Sequence, residues 1–297
     1  MNKMLLKCGT LALTLAAATH VAAQDLQGTV GLQIGANRVA EYDQPTPELS
    51  TVGAATLNGR FAYQPNDTMI YAGDFFLRYD DFANGTQGDF TDNEDPELRG
   101  QIGLQALYAL TDATRAGGFF SYADQRSQSQ DIADEYDTWL LGLTAQTDLS
   151  DAFLGYAQLA HGSNTKGDDA GEGFNAGSVV RGGLVYFASD ALIIAADLQL
   201  AGTPNYIDDD DLGYFNSFEL MAEMQLGQSL PLTTEFGLRR SVITSSDEDD
   251  HLSEIEAFVG VNYNFGGASL TDKWRNGVAY GTPDLPARAS AWTEWAD

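Results

Sequence analysis

The sequence predicts an all-β chain: a transmembrane antiparallel up-and-down β-barrel of about 12 strands, with short turns at one end and long acidic loops at the other. Three observations carry this reading. Apolar and polar side chains alternate with a period of two from Leu26 to Phe265, with little helical periodicity. The alternating segments run roughly 11–17 residues, whereas the strands of a soluble sandwich are usually about 5–6 residues long. The connections between them are by turns very short and long, an asymmetry that a sandwich has no reason to show.

Composition bounds the function classes. The 297 residues include 15 Lys and Arg against 43 Asp and Glu, a formal charge of −28. Nucleic-acid binders and polybasic membrane-surface binders both need fields of Lys and Arg, so neither fits. Mean hydropathy is −0.22, and beyond the N-terminus no apolar run approaches the ~20 residues of a membrane helix. The membrane reading therefore rests on strands alone.

Residues 1–23 read as a secretory signal peptide. Lys3 and Lys7 form its basic start, Leu11–Ala18 its apolar stretch, and Val21-Ala22-Ala23 its small-residue cleavage site. Cys8, the only cysteine, would leave with it, and the charge would deepen to −30. An exported chain without disulfides must be held by packing and backbone pairing.

Residues 24–265 form the barrel. Strands are expected near 26–42, 53–64, 68–82, 96–110, 116–126, 136–149, 152–163, 174–188, 191–206, 213–227, 231–243 and 252–265. Between Leu98 and Leu110 one face carries Ile102, Leu104 and Tyr108 and the other Arg99, Gln101 and Gln105. The stretches from Leu26 to Asn37 and from Ile255 to Phe265 divide in the same way. Short turns are expected near 65–67, 111–115, 150–151, 189–190 and 228–231, rich in Asn, Asp and Ser. An even strand count places both termini on the short-turn side.

Unpaired backbone groups are not tolerated in hydrocarbon, so the sheet must close and turn its apolar face outward. Tyr63, Tyr79, Tyr108, Trp139, Tyr263 and Phe265 lie near strand ends and suit interfacial girdles. The same parity sends Arg60, Arg78, Arg99, Arg181 and Arg239 inward, together with Asp74, Glu97, Asp124, Asp197, Glu219, Glu223, Glu235, Glu254 and Glu256. These are the candidate pore-lining residues. Opposed arginines and carboxylates either set the field of a pore that selects ions by sign or brace a closed lumen.

The pattern of export signal, alternating strands, loop asymmetry and an aromatic-ended last strand resembles that of Gram-negative outer-membrane β-barrels, the small porin-like ones in particular. That resemblance implies outer-membrane localisation, contact with outer-membrane lipid and lipopolysaccharide, and passive diffusion of small solutes. The excess of carboxylates adds a bias toward cations, and a closed structural or adhesin-like barrel is the alternative. Val259, Val261, Tyr263 and Phe265 resemble the terminal signal of such barrels, but residues 266–297 follow. This extension holds Lys273, Trp274, Arg275, Arg288, Trp292 and Trp295 and is expected in the periplasm or the lumen.

His161-Gly162-Ser163-Asn164, with Asn175 beyond, resembles the motif of outer-membrane phospholipase A, which implies a calcium-dependent Ser-His-Asn lipid hydrolase. A serine needs a base to take its proton, and the base needs a third group to orient it. Thr165, Lys166 and Gly171 depart from that family's pattern, and the parity of Asn175 points it inward, away from His161. The acidic runs Asp89 to Asp95, Asp208 to Asp211 and Asp247 to Asp250 would concentrate cations, Ca2+ among them, yet none has EF-hand spacing. His251 reads as a loop residue. No resident cofactor or metal is expected, and self-association into a homo-oligomer is left open.

Overall fold

The computed structural model describes residues 26–41, 48–81, 97–126, 135–164, 174, 176–204, 212–227, 230–245, 251–266, 269–276 and 279–285. The expected signal peptide, the acidic runs of the long loops and Asn175 lie outside them, as do the side chains of Glu97 and His251.

Twelve strands appear in chain order: β1 Leu26–Glu41, β2 Glu48–Asn66, β3 Met69–Asp81, β4 Glu97–Ala109, β5 Thr114–Arg126, β6 Glu135–Ser150, β7 Phe153–Asn164, β8 Gly177–Ser189, β9 Leu192–Pro204, β10 Leu212–Gln225, β11 Leu232–Ser245 and β12 His251–Phe265. Each pairs antiparallel with its sequence neighbours, and β1 pairs with β12 to close the barrel. No described helix is long and apolar enough to cross a membrane. Every strand overlaps its expected segment. β2 extends further at both ends, and β8 starts at Gly177, which leaves Phe174 off the strand.

Four of the short turns are each held by one polar side chain. Asn66 Oδ1 accepts from the amides of Thr68 and Met69, both at 3.0 Å. Thr111, Ser150 and Ser189 do the same with their hydroxyls at the next three turns on that side. These residues satisfy backbone donors that a two- to four-residue link cannot pair internally.

Register fixes the bore. Stepping between directly opposed residues from Leu26 through Tyr63, Tyr71, Ala106, Gly118, Leu143, Leu159, Val180, Leu200, Asn216, Val242 and Ser253 returns to β1 at Ala40, a stagger of fourteen residues. For twelve strands this stagger gives a tilt of about 40° and a backbone radius of about 11 Å. Eight strands leave an interior that wall side chains can fill; this one is wider.

The outer face is an apolar belt, with Leu143 67% exposed, Leu104 60% and Leu32 59%. An uninterrupted belt of this kind suits lipid rather than water. Tyr63, Tyr71, Tyr108, Tyr186 and Tyr263 ring it near the short-turn end, and Tyr79 and Tyr214 stand near the long-loop end. On this face Phe61 packs over Gly73 and Phe75 over Gly59, filling the gaps left by the missing side chains.

Candidate functional site: a lumen filled by the C-terminal segment

The chain turns inward immediately after β12. Gly266 has a φ of 77°, and a Cβ there would lie 2.0 Å from the Leu26 carbonyl oxygen, so only glycine allows this turn. A short helix, α1 (Leu270–Asn276), follows. Ser269 caps it: its hydroxyl accepts from the Asp272 amide at 3.0 Å and donates to the Asp272 carboxylate at 2.9 Å. Leu270 and Trp274, one turn apart, are both buried against the wall.

Glu223 of β10 anchors the helix. It accepts from Lys273 Nζ at 2.8 Å, from Trp274 Nε1 at 2.9 Å and from Thr233 of β11 at 2.5 Å. The Arg60 guanidinium lies over the Trp274 ring, 5.6 Å from its centroid. At the short-turn mouth, Arg275 bonds Asp148 and the carbonyls of Ser150 and Asp151 and covers the Phe187 ring.

Beyond α1 the segment from Ala279 to Leu285 climbs the lumen without joining the sheet, and wall side chains bind its backbone residue by residue. Arg60 donates to the Ala279 carbonyl at 2.8 Å and Gln105 to that of Tyr280 at 3.2 Å. Arg181 donates to that of Gly281 at 2.8 Å and Gln101 to that of Pro283 at 3.2 Å. Asp74 accepts from the Thr282 amide and hydroxyl, at 3.0 and 2.9 Å. Gln199 donates to Asp284 at 2.7 Å and accepts from the Leu285 amide at 3.2 Å. A buried segment with no strand partner thus has its main-chain groups satisfied by side chains.

Tyr280 is the central side chain of this segment. It stacks on Tyr156 with centroids 3.8 Å apart, receives a hydrogen bond from Thr144 and donates to the Ala145 carbonyl. Burial pushes its phenol up to about 12 against the lowering pull of Thr144 and Arg181, so it stays a neutral donor. Tyr156 in turn donates to Asp197, which also holds Arg181 at 2.7 Å.

A charged layer crosses the lumen above the segment. Arg78 bonds Asp80 and, three strands away, Glu256 at 2.9 Å. Arg99 bonds Asp80, Arg239 bridges Glu219 and Glu256, and Asn37 bonds Glu254. A cavity of about 40 Å³ between the wall and the segment, lined by Arg60, Asp74, Glu235 and Lys273 among others, has room for water.

Of the fourteen candidate pore-lining residues, twelve face the lumen in this way or line its cavity. The Glu97 side chain lies outside the described residues. Asp124 departs from the expectation. It opposes Gly100 and Asp137 on the parity of exposed Phe120, whereas Phe119, Ser121 and Ala123 point inward. The inner face is also less polar than its charged residues suggest. Val39, Phe119, Leu140, Phe174, Phe215, Ile243 and Leu252 form an inward apolar cluster that meets Leu285. In β5 the apolar Phe119 and Ala123 point inward, which turns Asp124 to the outer face.

The hydrolase geometry does not assemble among the described residues. His161 and Ser163 do share the outer face, but the His161 Nδ1 partner is Ser178 of β8 at 3.3 Å, and Ser163 donates to the Asn164 carbonyl. No described group of three or more His, Cys, Asp or Glu residues could hold a metal ion.

No family model matches the chain, and no curated protein matches it. Solved structures similar to it include the toluene transporter TodX of P. putida, 11% identical over 84% of this chain and 92% of that one, with a TM-score of 0.44. The KdgM porin is 8% identical over 78% and 99%, with a TM-score of 0.44. The translocator domain of the autotransporter NalP from Neisseria meningitidis is 14% identical over 87% and 95%, with a TM-score of 0.45.

Proposed function

We propose that this chain is a channel of the Gram-negative outer membrane, closed at rest by its own C-terminal segment and passing small solutes, cations preferentially, when that segment withdraws. The observation that carries the reading is the bonding of residues 279–285: they lie in the bore, held by side-chain hydrogen bonds and by the packing of Tyr280 and Leu285, with no strand pairing. Each such bond is worth about 1 kcal/mol net, because water replaces it on release. The wall left behind would be a bore narrower than the ~11 Å backbone radius, because the inward side chains and the Arg78–Glu256 layer still occupy part of it. Its described charges are the carboxylates of Asp74, Asp80, Asp148, Asp197, Glu219, Glu223, Glu235, Glu254 and Glu256 against Arg60, Arg78, Arg99, Arg115, Arg181 and Arg239, an excess that favours cations.

Planar-bilayer recording tests this. The full chain is expected to show rare openings. Arg60→Ala with Arg181→Ala, which removes the donors to the Ala279 and Gly281 carbonyls, is expected to open it at least tenfold more often, with a reversal potential in a KCl gradient on the potassium side. Silence in both proteins would favour the closed structural barrel, and a chloride-side reversal would remove the cation bias.

A further inference from the structure

Most basic side chains of the wall point into the lumen, but Arg38 of β1 and Arg240 of β11 point outward and are exposed. Both directly oppose Ile255 of β12, one from each side, so the three form a single rung across adjacent strands. Their Cα atoms are then about 9–10 Å apart, two strand spacings. Neither guanidinium has a hydrogen-bond or ion-pair partner among the described residues. Below them the surface is apolar: Phe218 directly opposes Arg240, and Leu220, Leu238 and Ile34 are exposed nearby. With the tilt included, both arginines stand about 20–25 Å above the inner tyrosine ring, level with Tyr79, Trp139 and Tyr214 on the long-loop side. That separation matches the ~25 Å apolar band of an outer-membrane barrel.

An unpaired arginine on a lipid-facing wall is costly at the midplane and tolerated only near the interface, where it meets anionic headgroups. Two on one rung, above an apolar field, match an amphiphile with phosphate at its head and acyl chains below. We propose that Arg38 and Arg240 form a binding site for the phosphate of an outer-leaflet glycolipid of the lipid A class, with its chains lying on Phe218, Leu238 and Ile34. Each guanidinium offers a fork of donors to phosphate oxygens, and the two side chains together span the gap between their strands. The site rests on the wall standing in an outer membrane with its long loops outward. It does not depend on the plugged lumen.

The test is native mass spectrometry of the full chain, folded in neutral detergent and titrated with bis-phosphorylated lipid A, with its dephosphorylated form, with a zwitterionic phospholipid and with inorganic phosphate. The intact protein is expected to retain phosphorylated lipid A at least tenfold better than the dephosphorylated lipid. Arg38→Gln with Arg240→Gln is expected to abolish that difference, and Arg38→Lys with Arg240→Lys to keep most of it. Heat-modifiable mobility on gels checks that each variant is a folded barrel. If mobility is lost, the lysine pair alone decides. Equal retention of the two lipid A forms by the intact folded barrel would overturn the site. So would undiminished preference in the glutamine variant, or inorganic phosphate held as well as the lipid. A barrel that fails to enter bilayers at all would instead remove the membrane reading beneath it.

Discussion

Arg181 joins the wall to the segment inside it. Its Nε holds Asp197, its Nη1 holds the Gly281 carbonyl, and its guanidinium lies 5.7 Å from the Tyr156 centroid and 6.0 Å from that of Tyr280. Both ionic partners are largely buried, so removing one leaves the other uncompensated, at a cost of about 3–5 kcal/mol. Arg181→Ala is therefore expected to lower the urea midpoint of the folded barrel clearly, and Arg181→Ala with Asp197→Ala to recover part of the loss. A double variant no better than the single one would mean that Arg181 acts through the Gly281 carbonyl and not through Asp197. Arg181→Lys keeps the charge but not the planar fork, so it is expected to preserve stability better than closure.

At the scale of elements, the wall is a closed sheet and residues 279–285 lie inside it without strand pairing. The strands follow from alternation, because a period of two sorts side chains to two faces, and all twelve were legible from it. The helix was not: α1 is seven residues long, and its capping Ser269 and Asp272 are signals that a short tail gives too little context to weigh. Nor does alternation reveal that a polar inner face binds the chain's own backbone, since Gln101, Gln105 and Gln199 look the same whether they face water or a peptide. Asp124 faces outward because β5 turns its apolar Phe119 and Ala123 inward, where a rule that sends apolar residues to lipid fails. The helix anchors through Trp274, 5% exposed and bonded to Glu223. Trp274→Ala is expected to cost about 3 kcal/mol of docking, which speeds amide exchange at residues 279–285 roughly a hundredfold and leaves strand amides unchanged. Equal acceleration in the strands would show instead that wall and plug open as one unit.

For the whole molecule, a closed sheet of twelve strands with a stagger of fourteen encloses more volume than its inward side chains fill, and residues 269–276 and 279–285 lie in that space. Whether it is permanent core or a removable stopper can be decided by fixing it in place. An ideal Cβ on Gly103 would lie 2.3 Å from Thr282 Oγ1 and 2.7 Å from its Cγ2, which puts the two Cβ positions about 3 Å apart, so the segment has to yield by roughly 0.5 Å to reach the ~3.5 Å of a disulfide. Asp74 Oδ1, 2.6 Å from the same point, is the end of a side chain and can swing aside. Cys8 is the only cysteine and lies in the expected signal peptide, so Gly103→Cys with Thr282→Cys would introduce a lone pair of thiols. Placed in the Arg60→Ala, Arg181→Ala background, the oxidised pair is expected to silence the current that those substitutions release, and a reductant to restore it within the same recording. Current that persists through the oxidised crosslink would mean that ions pass beside a docked segment, and the closure would then have to lie in the Arg78–Glu256 layer above it.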